Sequence, residues 1–192
     1  MTVYQAPVRD TLFVLNEVLG FERYSNLPGF ADASGDMLEA ILSEAAKLAE
    51  NEIHPTNHAG DMEGCTRNAD GSVTTPKSFK PVFDKYREGG WMGLGMPQEF
   101  GGQGLPYTIH QACGEYFSSA NMALMMYPGL THGAIAAILV HGSDEQKQAF
   151  VPKMVEGVWT GTMNLTEPHC GTDLGLIRTK AVPAGEGKYK IS

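Results

Sequence analysis

Apolar positions along this chain follow a helical period for most of its length. From Asp36 to His54, residues Met37, Leu38, Ile41, Leu42, Ala45, Leu48, Ala49 and Ile53 share one face of a repeat of about 3.6 residues. That stripe predicts an amphipathic helix with its apolar face in a core. Pro55 is expected to end it, because proline has no N–H and its ring collides with the preceding turn. Pro76 is placed to open a second helix, with Phe79, Val82, Phe83 and Tyr86 inward and Gly89-Gly90 behind it. Pro106 opens another, with Ile109, Ala112, Cys113, Tyr116 and Phe117 inward. His132 to Val140 is apolar and small throughout, which predicts a helix buried nearly all round and closed by Gly142. Ser143 to Gln146 has the spacing of a capping box, and the helix it starts carries Ala149, Phe150, Met154 and Val155 and closes at Gly157.

Upstream, Val8-Arg9-Asp10 leads into Leu12, Phe13, Leu15, Val18 and Leu19, a short apolar helix closed by Gly20. Phe21, Tyr24 and Phe30 follow. So many large apolar groups are costly to leave in water, so this segment is expected to lie on the main body or on a partner subunit. Thr56 to Pro76 reads as a polar loop. His54 and His58 are four apart with Asp61 and Glu63 near, a spacing that a continuous helix would align for a metal. With Pro55 between them, a solvated loop and no metal are expected. Trp91 to Gly104 reads as a glycine-rich turn around a short apolar strand. It lacks both Gly-Lys-Ser/Thr and the GxGxxG spacing of nucleotide loops.

After Gly157 the period changes. Val158 to Thr166 is rich in β-branched and apolar residues and reads as a strand, stopped by Glu167-Pro168. A second strand is expected over Leu176 to Val182, then a turn at Gly185-Glu186-Gly187 and a third strand from Lys188. Ser192 cuts that strand off. A half-made sheet with open edges is a poor stopping place, so the sequence is expected to be the N-terminal portion of a longer protein. Between the first two strands stand Gly171, the hydroxyls of Thr166 and Thr172, and Asp173. A turn of this kind can aim N–H and O–H groups at one spot, which suits an anionic or carbonyl-rich ligand.

Composition narrows the classes further. The chain has 192 residues, 42% hydrophobic and 19% charged, as a globular protein with a real core would. Its net charge is −8 and its 14 basic residues form no run, so nucleic acid is not an expected partner. Cys65, Cys113 and Cys170 have neither disulfide nor zinc spacing and read as free thiols. No secretory signal is visible, and no apolar run is read as approaching the roughly 20 residues of a membrane span. A cytoplasmic protein is expected.

Particular letters go further. Thr166-Glu167-Pro168, then Gly171-Thr172-Asp173 after a small-residue strand, resembles the flavin-binding signature of the acyl-CoA dehydrogenases. Two upstream stretches match the same family in order. They are the run from Trp91 through Pro97-Gln98-Glu99-Phe100-Gly101-Gly102, and His141-Gly142-Ser143 with Glu145-Gln146-Lys147, Lys153 and Gly157. His169-Cys170 and Leu174 to Lys180 are most similar to the branch that includes the 3-methylmercaptopropionyl-CoA dehydrogenases, which also carries an N-terminal extension.

The resemblance implies a mainly α chain: an N-terminal extension over 1–33, an all-helical N-terminal domain over 34–157, and the opening of a middle β-barrel domain over 158–192. A C-terminal helical bundle would lie outside the chain. It implies FAD as cofactor and the α,β-dehydrogenation of an acyl-CoA thioester, as in fatty-acid β-oxidation. In that reaction a carboxylate takes the α-proton and the β-hydrogen leaves as hydride to the flavin. Thr166 would hydrogen-bond the flavin ring, with Met163, Asn164 and Leu165 lining it through their backbone. Thr172, where serine is more usual, would contact the FAD pyrophosphate and the CoA pantetheine. Met126, Tyr127 and Pro128 would line the acyl cavity. Glu167 and Asp173 are not expected to be the base, since the family's glutamate lies in the C-terminal bundle. Electron-transfer flavoprotein is the implied electron acceptor, and a homodimer or homotetramer the implied assembly. The competing readings are an oxidase-like relative and a non-catalytic helical interaction domain.

Overall fold

The stripe after Asp36 forms a helix, α2 (Gly35–Leu48), with Leu38, Leu42 and Ala45 facing the core. A computed structural model describes residues 3–33 and 35–192; Met1, Thr2 and Ser34, and with them the first residues of the expected extension and helical domain, lie outside it. Pro55 does not end the helical run. A widened π turn over Ala49–Ile53 joins α2 to α3 (His54–Glu63), with Pro55 in the first turn of α3. Widening shifts the carbonyl with which the proline ring would collide, and a first-turn residue has no use for its missing N–H. The expected loop is therefore helical through Glu63, followed by a short hairpin of β1 (Thr66–Arg67) and β2 (Val73–Thr74).

Contacts divide the chain into two units, residues 1–162 and 163–192. In the first, α1 (Val8–Phe13) continues as a π turn through Val18 and stops at Gly20, whose φ of 58° suits glycine. This segment lies on the body of its own unit: Leu15 and Phe21 are buried, and the Ala6 N–H donates to Glu50 Oε1 at 2.8 Å. Phe13, Val18 and Leu19 stay exposed, so only part of its apolar surface is covered.

The remaining helices are α4 (Phe79–Glu88), α5 (Tyr107–Ala120), α6 (Met122–His141) and α7 (Asp144–Val155). Helix α4 starts three residues after Pro76, whose carbonyl accepts from the Phe79 N–H. Trp91 to Gly104 contains two 3₁₀ turns and no strand. Its fold is a tight cross-bonded turn, with Gln103 N–H on Gly93 O and Leu105 N–H on Leu94 O. A Cβ on Gly102 would overlap the Met96 carbonyl, so close backbone approach is what this glycine supplies.

Helix α6 links two clusters of core side chains. Leu124 and Met125 join Leu38, Leu42, Ile53, Ile109, Tyr116 and Phe117, while Ile135 joins Met96, Phe100, Val151, Met154 and Val155. Asn121 starts α6 by accepting from the Leu124 N–H, and its amide donates to Thr56 Oγ1 at 2.8 Å in the buried interior. The helix runs unbroken through Pro128. Two expectations are corrected here. Ala136, Ala137 and Val140 face outward, so the His132–Val140 stretch is buried on one side only. At 20 residues α6 is also long and apolar enough to cross a membrane by length and composition, although its inward residues pack against α5 and α7. The capping box of α7 is present in both directions, and Phe150 lies outside the buried face of Val151, Met154 and Val155.

In the second unit β3 (Ala181–Pro183) pairs antiparallel with β4 (Tyr189–Ile191) around the turn at Gly185 to Gly187. The second predicted strand therefore starts five residues late, because a 3₁₀ turn occupies Leu174–Leu176. Val158 to Thr166 is not a strand: among the described residues no partner strand pairs with it, and composition alone makes no ladder. The mainly α architecture agrees with the sequence reading, and its β portion is smaller than expected.

Candidate functional site

Glu167 organises the loop that the sequence singles out. It pairs with Cys170 through two backbone hydrogen bonds, closing the Glu167-Pro168-His169-Cys170 turn. Its carboxylate accepts from the Arg178 N–H at 3.1 Å and the Thr179 N–H at 2.9 Å. Bonding to Thr179 and Arg178 holds its pKa down to about 2. A carboxylate held in this way is a brace and a poor base. His169 Nε2 donates to the Leu176 carbonyl at 3.0 Å and lies 3.4 Å from Glu167 Oε2. Asp173 is likewise occupied locally, accepting from the Gly175 N–H at 3.1 Å.

The ligand atoms of Glu167, His169 and Cys170 lie within 4.8 Å of one another, a trio of metal-ligating types that the sequence reading leaves out. Two of the three side chains are already engaged. Glu167 binds two backbone amides, and the His169 nitrogen that faces it carries the proton that Leu176 accepts. Together they brace the return of the chain at residues 176–179.

With Glu167 and Asp173 turned to these tasks, Met163, Asn164, Leu165, Thr166 and Thr172 are all exposed. Met163 and Leu165 retain 65% and 47% of their surface, more than apolar side chains with a protein partner would keep. A Cβ on Gly171 would lie 3.5 Å from Thr166 Cγ2, so the two ends of the loop, each bearing a threonine, are brought close. What the loop presents is a backbone that joins no strand, two apolar side chains and two hydroxyls.

The helical unit has its own cavity, about 810 Å³, walled by the N-terminal segment, α5 and α6. Pro128 lines it; Met126 is exposed outside it, and Tyr127 packs edge-on against Phe79 and Phe83. Among its polar groups, which include Asp10, Thr11 and Glu115, is a pair of imidazoles missed in the sequence, His110 and His132, tilted 56° to each other with ring centroids 4.4 Å apart. His132 Nε2 donates to the Met92 carbonyl at 2.9 Å. Burial, and then the neighbouring ring, pushes His110 down to about 4, and burial lowers His132 as well, so both are neutral at pH 7. The signal was available: His110 follows Ile109 and precedes Cys113 by three, on the inward stripe of α5. Cys113, its thiol pushed up to about 12 by burial, is an inert core group.

Residues 36–158 match the family model of the acyl-CoA dehydrogenase N-terminal domain. The chain belongs to the acyl-CoA dehydrogenase family. It is 39% identical to 3-methylmercaptopropionyl-CoA dehydrogenase of Ruegeria pomeroyi, over 98% of this chain and 32% of that protein. It is 36% identical to the broad-specificity linear acyl-CoA dehydrogenase FadE5 of Mycobacterium tuberculosis, over 100% of this chain and 31% of that protein. The chain thus spans about a third of the length of these curated relatives. In fold it is similar to butyryl-CoA dehydrogenase from Megasphaera elsdenii, with a TM-score of 0.65 and 22% identity over 81% of this chain and 39% of that one. The domain match covers the helices from α2 to α7 and stops just before the exposed loop.

Proposed function

We propose that this chain supplies part of the flavin and acyl-CoA site of an enzyme that dehydrogenates an acyl-CoA thioester to its 2-enoyl-CoA. The observation that carries the reading is the exposed 163–166 run and its loop, in a member of this family. FAD fits these residues. An isoalloxazine is a flat, partly apolar ring edged with carbonyls and nitrogens, and Met163, Leu165, the backbone of 163–166 and the Thr166 hydroxyl offer matching groups. A crystal structure of an acyl-CoA dehydrogenase from Bacillus anthracis complexed with FAD has the same fold, with a TM-score of 0.65.

Bound FAD supplies the two-electron acceptor. In this reading Thr166 donates to the ring and fixes its orientation, and Thr172 contacts the pyrophosphate and the pantetheine arm. The cavity of the helical unit takes the acyl group past Pro128; Met126 and Tyr127 lie outside it and are not part of its lining. Glu167 holds the loop closed and moves no proton, and the base that removes the α-proton comes from outside residues 1–192. Electron-transfer flavoprotein is the proposed acceptor of the electrons, a partner suggested by the likeness to a structure named electron transferring flavoprotein of Acidaminococcus fermentans (27% identity, TM-score 0.66). A homodimer or homotetramer in the cytoplasm completes the proposal.

The test is Thr166→Ala and Thr172→Ala in the complete protein. Each removes a hydroxyl worth about 1 kcal/mol, so flavin affinity or the rate of flavin reduction should fall about fivefold. Flavin content and turnover unchanged in both variants would overturn the assignment.

A further inference from the structure

The helical cavity holds a polar group that packing alone does not explain. His110 is 8% exposed and lines the cavity, and its ring nitrogens make no hydrogen bond to a described residue while staying accessible from the cavity. Its neighbours are rings: Tyr107 at 5.2 Å between centroids and His132 at 4.4 Å. His132 is itself fixed by the Met92 carbonyl, so it positions the His110 ring and is not free to turn away. Without a protein partner, the His110 nitrogens are left for a group that enters the cavity. Val14, Leu15, Met125 and Pro128 give the wall its apolar part, beside polar Thr11, Gln111 and Ser118.

We propose that His110 is the polar anchor of this cavity and selects acyl groups carrying an uncharged oxygen along the tail over plain hydrocarbon ones. The inference rests on the reading above, that the cavity receives the acyl group. A neutral imidazole offers one N–H donor and one nitrogen acceptor, which matches a hydroxyl, an ether or a keto oxygen. Sulfur in the same place would be a weak acceptor. A tail ending in carboxylate fits badly, because the imidazoles carry no charge to meet it and Asp10 and Glu115 stand on the cavity wall. Apolar neighbours take the methylenes on either side.

The experiment compares, in the flavin-loaded complete protein, two thioesters of equal length, one a straight hydrocarbon and one with a tail methylene replaced by an ether oxygen. Wild type should show the higher kcat/KM for the ether. His110→Phe keeps a ring in contact with Tyr107 and His132 and removes both nitrogens, so the ether-to-hydrocarbon ratio should fall about tenfold. His110→Gln, which keeps a donor and an acceptor, should hold most of the preference. Wild type that treats the two substrates alike, or a His110→Phe ratio equal to wild type, overturns the inference. The wild-type comparison decides even if the variants do not fold. Flavin reduction by both thioesters without preference sinks the tail anchor alone, whereas reduction by neither sinks the dehydrogenase reading and this inference with it.

Discussion

At the scale of single residues, the loop divides its polar groups into two sets. Glu167, His169 and Asp173 are committed to backbone partners, and Thr166 and Thr172 remain on the surface. The division follows from reach: a glutamate at the turn can span to residues 178 and 179, while threonine side chains are too short to leave their own position. Glu167→Gln tests the brace. An amide offers one acceptor oxygen where the carboxylate offers two, so the Arg178 and Thr179 amide protons should exchange with solvent faster than in wild type. Unchanged exchange at both would mean that Glu167 holds nothing.

At the scale of elements, proline is where sequence and structure part. Pro55 and Pro128 both sit inside continuous helical runs, the first after a π turn and the second in the middle of α6. Local chemistry reads each as a break, and tertiary packing of α3 and α6 around the buried Asn121–Thr56 bond keeps the runs together. The capping box at Ser143, the terminating Gly142 and the stripe of α2 were legible because their causes lie within a few residues. The His110–His132 pair was not, since only the packing of α5 on α6 makes the two rings neighbours.

That pair gives the helical unit a pH dependence. His110 titrates near 4 when folded and near 6.5 when unfolded, so between those values the unfolded chain binds the extra proton. Stability is therefore fully present above about 6.5 and lost as pH falls toward about 4, and His132 shifts in the same direction. Tm measured between pH 4 and 7 should rise with pH, and His110→Phe should flatten the rise. A variant curve parallel to wild type would show that these rings do not titrate as described.

For the whole molecule, the helical unit builds its own core while residues 163–192 bury almost nothing apolar. Cys170 is their buried hydrophobic residue, and Val182, Tyr189 and Ile191 all face outward. The motif at Thr166 to Asp173 was legible as letters. Its geometry was not, because the composition of the preceding run predicts a strand, whereas a strand requires a partner that this run does not have among the described residues. The loop's significance comes from what it leaves exposed, and exposure is a property of the fold.

The central claim, that this loop and cavity serve a flavin-dependent dehydrogenation of acyl-CoA, is tested most directly by visible absorption of the purified complete protein under anaerobic titration with acyl-CoA thioesters. The account predicts a flavin band that at least one thioester bleaches. A protein without flavin, or a flavin band that no thioester bleaches, would contradict it.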